Sequence, residues 1–153
     1  MKAMLLNPFL SSLDQVIQSF SGSSIKKQKV EVLTKSLNHG TNIHVFLGVT
    51  GDLYGNVLLS TDYQNGLQLA SMMVGGNVEN FDDLSVSALQ ELLNITSGNA
   101  VTQLADLGVK ADISPPAFFS GMQLDVRVSF PLVSILLSAG ETKFYLNLAL
   151  KSK

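Results

Sequence analysis

The chain has 153 residues, of which 46% are hydrophobic and only 14% charged, with a net charge of −2 and no cysteine. That length is one domain's worth, able to bury roughly 68–70% of its unfolded surface without a covalent staple. The missing cysteines exclude disulfides, thiolate metal sites and thiol nucleophiles and fit a cytoplasmic location. The charged fraction, well under the roughly 25% usual for soluble domains, leaves part of the surface for an interface.

No basic cluster follows Lys26-Lys27-Gln28-Lys29, so the electrostatic footprint of nucleic-acid binding is missing and nucleic acid is not expected as the main partner. The opening apolar run is broken by Asn7-Pro8 and is not followed by a cleavage pattern, so it reads as the start of an amphipathic helix rather than a leader. No apolar stretch approaches the ~20 residues needed to span a bilayer, and a soluble protein with no membrane association is expected.

Phe9, Leu10, Leu13, Val16, Ile17 and Phe20 recur at helical spacing, and Ser21-Gly22-Ser23-Ser24 ends that first helix. Three extended segments are predicted next, at about 29–37, 43–49 and 54–60, with Thr50-Gly51-Asp52 as the hairpin turn between the last two. Asp62 predicts the N-cap of a second helix that Gly75-Gly76 stops. A third and longest helix runs from near Asp83 to near Leu107, with Gly98 as a point where it could bend and Gly108 as its terminator. Extended stretches follow at 111–113, 117–120, 125–130 and 142–150, the last two alternating through Val126, Val128 and Phe130 and through Phe144, Leu146, Leu148 and Leu150. A helix-and-strands order that begins twice implies an internally duplicated unit. The expected fold class is α+β, an antiparallel sheet packed with helices on one or both faces, in a single domain over residues 1–153.

Most chemistry-bearing residues have bland readings. His39 and His44 flank a Gly40-Thr41-Asn42 turn without a third ligand at metal spacing, so they read as loop and strand residues and no metal site is expected. No G-x-S-x-G or phosphate-binding glycine pattern occurs. Asp82 and Asp83 sit where a helix start favours carboxylates, and Met72-Met73 reads as core.

The segment from Ser87 to Ala100 carries more. At about 100° per residue, Asp83, Ser87, Glu91, Asn94, Gly98 and Thr102 share one stripe of the third helix, while Leu84, Ala88, Leu89, Leu92, Leu93, Ala100 and Leu104 fall beside and behind it. Small Ser87 and Gly98 flank the two longer polar groups, so another protein's backbone could approach them. No Lys or Arg lies between Asp83 and Leu107 to pair with Glu91. The stripe reads as a docking face.

These residues resemble the CheC/CheX chemotaxis phosphatases, and most closely the single-site CheX type. The resemblance spans nearly the whole chain: Asn7-Pro8-Phe9-Leu10, the Leu47–Gly55 hairpin, Met72-Met73-Val74-Gly75-Gly76, Ser87 to Ala100, and Asp112-Ile113-Ser114-Pro115-Pro116 with Gly121. It implies a CheC-like fold and removal of the phosphoryl group from the aspartyl phosphate of a CheY-like response regulator. Carried over by position, Glu91 and Asn94 would be catalytic, Glu91 pairing with the regulator's lysine and Asn94 orienting the attacking water. Ser87, Gln90 and Gly98 would line the partner-binding face. No cofactor of the chain's own is implied, Mg²⁺ being held by the partner, and the relatives form homodimers.

The family pattern usually places glycine where this chain has Gln90 and Leu93. Leu93 lies about 130° from the stripe centre, on the side expected to fill core. Gln90 sits at the margin, where its bulk bears on docking. That departure motivates the alternative of a noncatalytic response-regulator-binding module of the same fold, with a purely structural dimerisation domain as a third reading. The first helix offers Asp14-Gln15 but no second Glu-x-x-Asn, so one site per chain is expected.

Overall fold

The computed structural model describes residues 3–121, 123–128 and 131–153. In chain order, helix α1 (Ala3–Ser21) leads into strands β1 (Ile25–Leu33), β2 (Ser36–Leu37), β3 (Ile43–Gly51) and β4 (Leu53–Thr61), and α2 (Tyr63–Val74) follows. Then come α3 (Asp83–Asp106), β5 (Ala111–Ile113), β6 (Ala117–Ser120), β7 (Val126–Arg127), β8 (Leu132–Ala139) and β9 (Thr142–Ser152).

Alternation decides which face each strand buries. Ile43, Val45, Leu47 and Val49 of β3, Val57 and Leu59 of β4, and Phe144, Leu146, Leu148 and Leu150 of β9 join residues of all three helices in one core. The helices therefore cover one face of the sheet. The other face carries a smaller cluster of Leu37, Leu58 and Leu132, roofed by the two-stranded pair β2 and β7.

The sheet runs β1-β8-β9-β4-β3-β5, with β6 also on β3, and every pairing is antiparallel. Hairpin β3–β4 comes from the first half of the chain and hairpin β8–β9 from the second, and they meet at β4–β9. Each half lends its leading strand to the other's hairpin: β1 pairs with β8, while β5 and β6 pair with β3. This reciprocal order is the architecture of the duplicated unit that the repeated helix-and-strands order implies.

Three expectations about the elements are corrected. The first strand begins at Ile25 rather than near Lys29, because the Asp14 carboxylate accepts the Ile25 N–H at 2.8 Å and starts pairing immediately after the turn. The lysines there are exposed residues of an edge strand, where charge discourages pairing with strangers. Strand β8 was not anticipated: all of its residues except Leu136 are buried, so no polar alternation marks it. The segment expected at 125–130 is ordered as the short β7 against β2, and Ser129 and Phe130 lie outside the described residues.

Candidate functional site

Helix α3 is anchored at its start by reciprocal capping. Asp82 Oδ1 accepts the Ser85 N–H at 2.9 Å, and Ser85 Oγ accepts the Asp82 N–H at 2.8 Å, so two orphan donors are satisfied at once. These bonds to Ser85 hold the Asp82 carboxyl below its ordinary value. Asp83 in the first turn adds a favourable charge at the positive end of the dipole. At the far end the Val109 N–H reaches back to the Leu104 carbonyl, and Gly108 takes a φ of +83°.

The buried side of α3 carries Leu89, Leu92, Leu93, Ala100 and Leu104, all fully buried against α1 and the sheet. Each such leucine contributes about 1.5–3 kcal/mol relative to exposure, enough to hold the helix in one rotation. Between α1 and α3, Gln103 Nε2 also donates to the buried Ser12 Oγ at 3.0 Å.

With that rotation set, Asp83, Ser87, Glu91 and Thr102 are exposed and Asn94 and Gly98 are half-buried, so the stripe expected from the sequence lies on the surface. Among the described residues, no hydrogen bond or ion pair holds the Glu91 carboxylate or the Asn94 amide. A Cβ added at Gly98 would meet no atom within 4 Å, which leaves that part of the face open. From Ser87 to Gly98 the stripe is about 17 Å long at 1.5 Å per residue.

The flanking residues divide differently from expectation. Leu93 is core. Gln90 is half-buried at the margin, and its amide is spent inside the chain, donating to the Pro116 carbonyl at 3.1 Å. Leu84, expected beside or behind the stripe from the helical wheel, is instead 66% exposed. It precedes Ser87 by three residues and Glu91 by seven, spacings that bring it onto the same face. The Pro116 contact was missed because it joins residues 26 apart in sequence; the Pro115-Pro116 pair was visible only as a break between strands.

The remaining candidates take structural places. Asp14 Oδ2 accepts from Gln18 Nε2 while its other oxygen takes the Ile25 N–H, so the acidic residue of α1 serves the α1–β1 junction. His39 stacks on Tyr145 at 3.9 Å between ring centroids, and its Nε2 lies 3.0 Å from Ser134 Oγ. Since Ser134 gives its own proton to Asn147 Oδ1, His39 is the donor in that pair. His44 is buried, with Nε2 facing the Thr41 carbonyl and Nδ1 facing Ser60 Oγ. Among the described residues no group of three or more His, Cys, Asp or Glu side chains could hold a metal ion, and no helix is long and apolar enough to cross a membrane.

An unhindered acid and a carboxamide one helical turn apart can grip a cation and, beside it, hold a water through one donor and one acceptor. Residues 43–138 match the family model described as chemotaxis phosphatase CheX. The chain is similar to the CheY-P phosphatase CheX of Thermotoga maritima, with 30% identity across 99% of both chains. Its fold is similar to a CheC-like superfamily protein from Shewanella sp. PV-4, with a TM-score of 0.87 and 21% identity over 99% of this chain and all of that one. It is also similar to the CheX of Borrelia burgdorferi solved as a CheX-CheY-BeF3-Mg²⁺ complex, with a TM-score of 0.78 and 25% identity over 96% of this chain and 97% of that one. On the extent of these matches, the chain belongs to the CheX family of chemotaxis phosphatases.

Proposed function

We propose that this chain is a phosphatase that hydrolyses the aspartyl phosphate of a CheY-like response regulator, with Glu91 and Asn94 as the residues that act on the partner. The observation that carries the reading is the pair itself, an exposed Glu91 and a half-buried Asn94 with no partner among the described residues, set on one helix between small Ser87 and Gly98. Asn94 enters the regulator's phosphorylation site. Its carbonyl accepts from a water and its N–H₂ donates, aligning the water oxygen behind phosphorus without removing its proton beforehand. The new P–O bond forms as the bond to the aspartyl oxygen breaks, and the water's protons leave with inorganic phosphate and solvent. Positioning and charge carry the rate in phosphoryl transfer, so the chain needs no nucleophile of its own.

Glu91 pairs with the regulator's lysine and sets the register of docking. Mg²⁺ belongs to the regulator's site, in keeping with the Mg²⁺ of the Borrelia burgdorferi CheX-CheY-BeF3 complex. Residues 1–153 act as one domain, in the cytoplasm. The chain forms a homodimer, and edge strand β1 supports this: Val30 and Val32 are 55% and 64% exposed along its second half, while Lys26, Lys27 and Lys29 guard the first. The noncatalytic alternative drew its motive from Gln90 and Leu93, and it loses ground because one is bonded to Pro116 and the other is core.

The test is to mix the protein with a CheY-type receiver domain phosphorylated on its aspartate and follow phosphate release. Faster decay is expected, with a loss of about a hundredfold or more in kcat for Asn94→Ala, by analogy with deleting one positioned polar group. Decay at the receiver's own rate, or full activity in Asn94→Ala, would refute the assignment.

A further inference from the structure

Along the outer edge of β3 the partner strand is broken. Val49 pairs with Ile113 of β5, and Phe46 pairs with Ala117 of β6. Two residues of β3, Leu47 and Gly48, thus face three on the other side, Ser114, Pro115 and Pro116. The additional residue makes the outer segment bow, as in a bulge. The two prolines have no N–H to lose from the ladder, and their fixed φ stiffens the bow.

Both ends of the bow are held. Ser114 donates its N–H to the Gly48 carbonyl at 2.9 Å, and Ser114 Oγ accepts the Gly48 N–H at 2.7 Å. At the other end Gln90 donates to the Pro116 carbonyl at 3.1 Å. Pro115 is exposed and Pro116 half-buried. On α3 Asn94 is four residues beyond Gln90, the next position along the same ridge, whereas Glu91 lies about 100° round the helix from Gln90. The face is therefore asymmetric, with a proline ledge on the Gln90 side of Asn94.

We infer that Gln90 is a positioning residue, which fixes the Ser114-Pro115-Pro116 ledge beside α3 so that the ledge forms part of the regulator's docking surface. The inference rests on the reading of Glu91 and Asn94 above. Gln90 does not touch the phosphoryl group; it acts through Pro116, and its contribution belongs to recognition rather than to the chemical step. The ledge offers the partner rigid apolar rings, so it suits an apolar side chain on the receiver domain.

The experiment measures steady-state dephosphorylation of an aspartate-phosphorylated CheY-type receiver by wild type, Gln90→Ala, Gln90→Glu, Pro115→Gly, the Gln90→Ala/Pro115→Gly double variant and Asn94→Ala, with thermal unfolding of each. Gln90→Glu keeps the length and removes the donor. Both Gln90 variants are expected to raise KM about fivefold, the scale of one neutral hydrogen bond, while kcat stays within about twofold. Pro115→Gly should behave alike, and the double variant should be no worse than the poorer single one, because the two residues act as a unit. An unchanged KM in the Gln90 variants, a loss confined to kcat, a wild-type Gln90→Glu, or additive effects in the double variant would each overturn the inference. If Asn94→Ala is inactive while the Gln90 variants match wild type, this inference alone fails. Full activity in Asn94→Ala would remove the underlying reading and the ledge with it.

Discussion

Asp82 and Ser85 cap one another at the start of the helix that presents Glu91 and Asn94. The cap lies less than three turns from the acid, so the direction in which Glu91 leaves the surface depends on a first turn that does not fray. Asp82→Ala is expected to lower Tm by about 2–4 °C, the shift associated with losing one good cap in a chain of this size. The sign with pH follows from the depressed carboxyl: the unfolded chain binds the proton more readily, so the cap's contribution is present at neutral pH and disappears as pH falls below the ordinary 3.8. Thermal unfolding of wild type and Asp82→Ala should converge in strong acid, and a constant gap across the pH range would refute this account of the cap.

Glu91 is exposed, and the proposed pairing with a lysine has an ionic-strength signature. In wild type KM should rise as salt is raised from about 0.05 to 0.5 M, since an exposed ion pair is screened over that range. Glu91→Gln should have a higher KM at low salt and a flatter dependence on salt. Equal salt slopes for the two proteins would exclude Glu91 from the contact.

Gly98 separates stability from docking. It lies inside α3 with open space where a Cβ would stand. Gly98→Ala should therefore stabilise the fold by about 0.5–1 kcal/mol, through the unfolded chain's lost freedom and a better helix. Gly98→Phe should fold as well as wild type and raise KM at least tenfold, because the ring would stand on the face proposed to receive the regulator. Circular dichroism melts and the dephosphorylation assay check both halves, and a fully active Gly98→Phe would remove that position from the interface.

His39 supplies a pH dependence on the opposite side of the sheet. Burial against Tyr145 holds its imidazole below the ordinary 6.5, and this outweighs the attraction of nearby Glu31. Below pH 6.5 the unfolded chain takes up the proton before the folded one does. Stability should thus fall as pH drops through 6.5 toward the lower folded value, and level off above it. His39→Gln, which keeps a donor for Ser134 and does not titrate, should show a flatter profile over that window in urea unfolding. The same slope in both proteins would assign the dependence to another group.

Local chemistry was the legible part of this chain. Asp62, Gly75, Asp82 and Gly108 act on backbone groups within a few residues, and the observed bounds of α2 and α3 follow them closely. The stripe through Ser87, Glu91, Asn94 and Gly98 was equally accessible, because helical geometry alone decides which residues face together. What stayed hidden depends on partners distant in sequence. Strand β8 has no solvent-facing side to mark it: Val133, Ile135 and Leu137 meet the main core, while on the other face Leu132 joins the small cluster and Ser134 and Ser138 are hydrogen-bonded to Asn147 and Gln28. Leu84 looked like a core leucine until the rotation of α3 was set by Leu89, Leu92 and Leu93. The bond from Gln90 to Pro116 could be seen only after β5 and β6 were laid on β3.

The exchange of leading strands between the two halves makes them mutually obligate. A fragment ending after α2 would own β1 with no β8 to receive it, and a β3 edge with nothing to cover it. Two such fragments could satisfy each other only by trading those strands, so the halves are expected to fold together rather than singly. Joined in one polypeptide, the two long helices are free to differ: α1 commits Asp14 to the junction with β1, while α3 leaves Glu91 and Asn94 without a partner among the described residues.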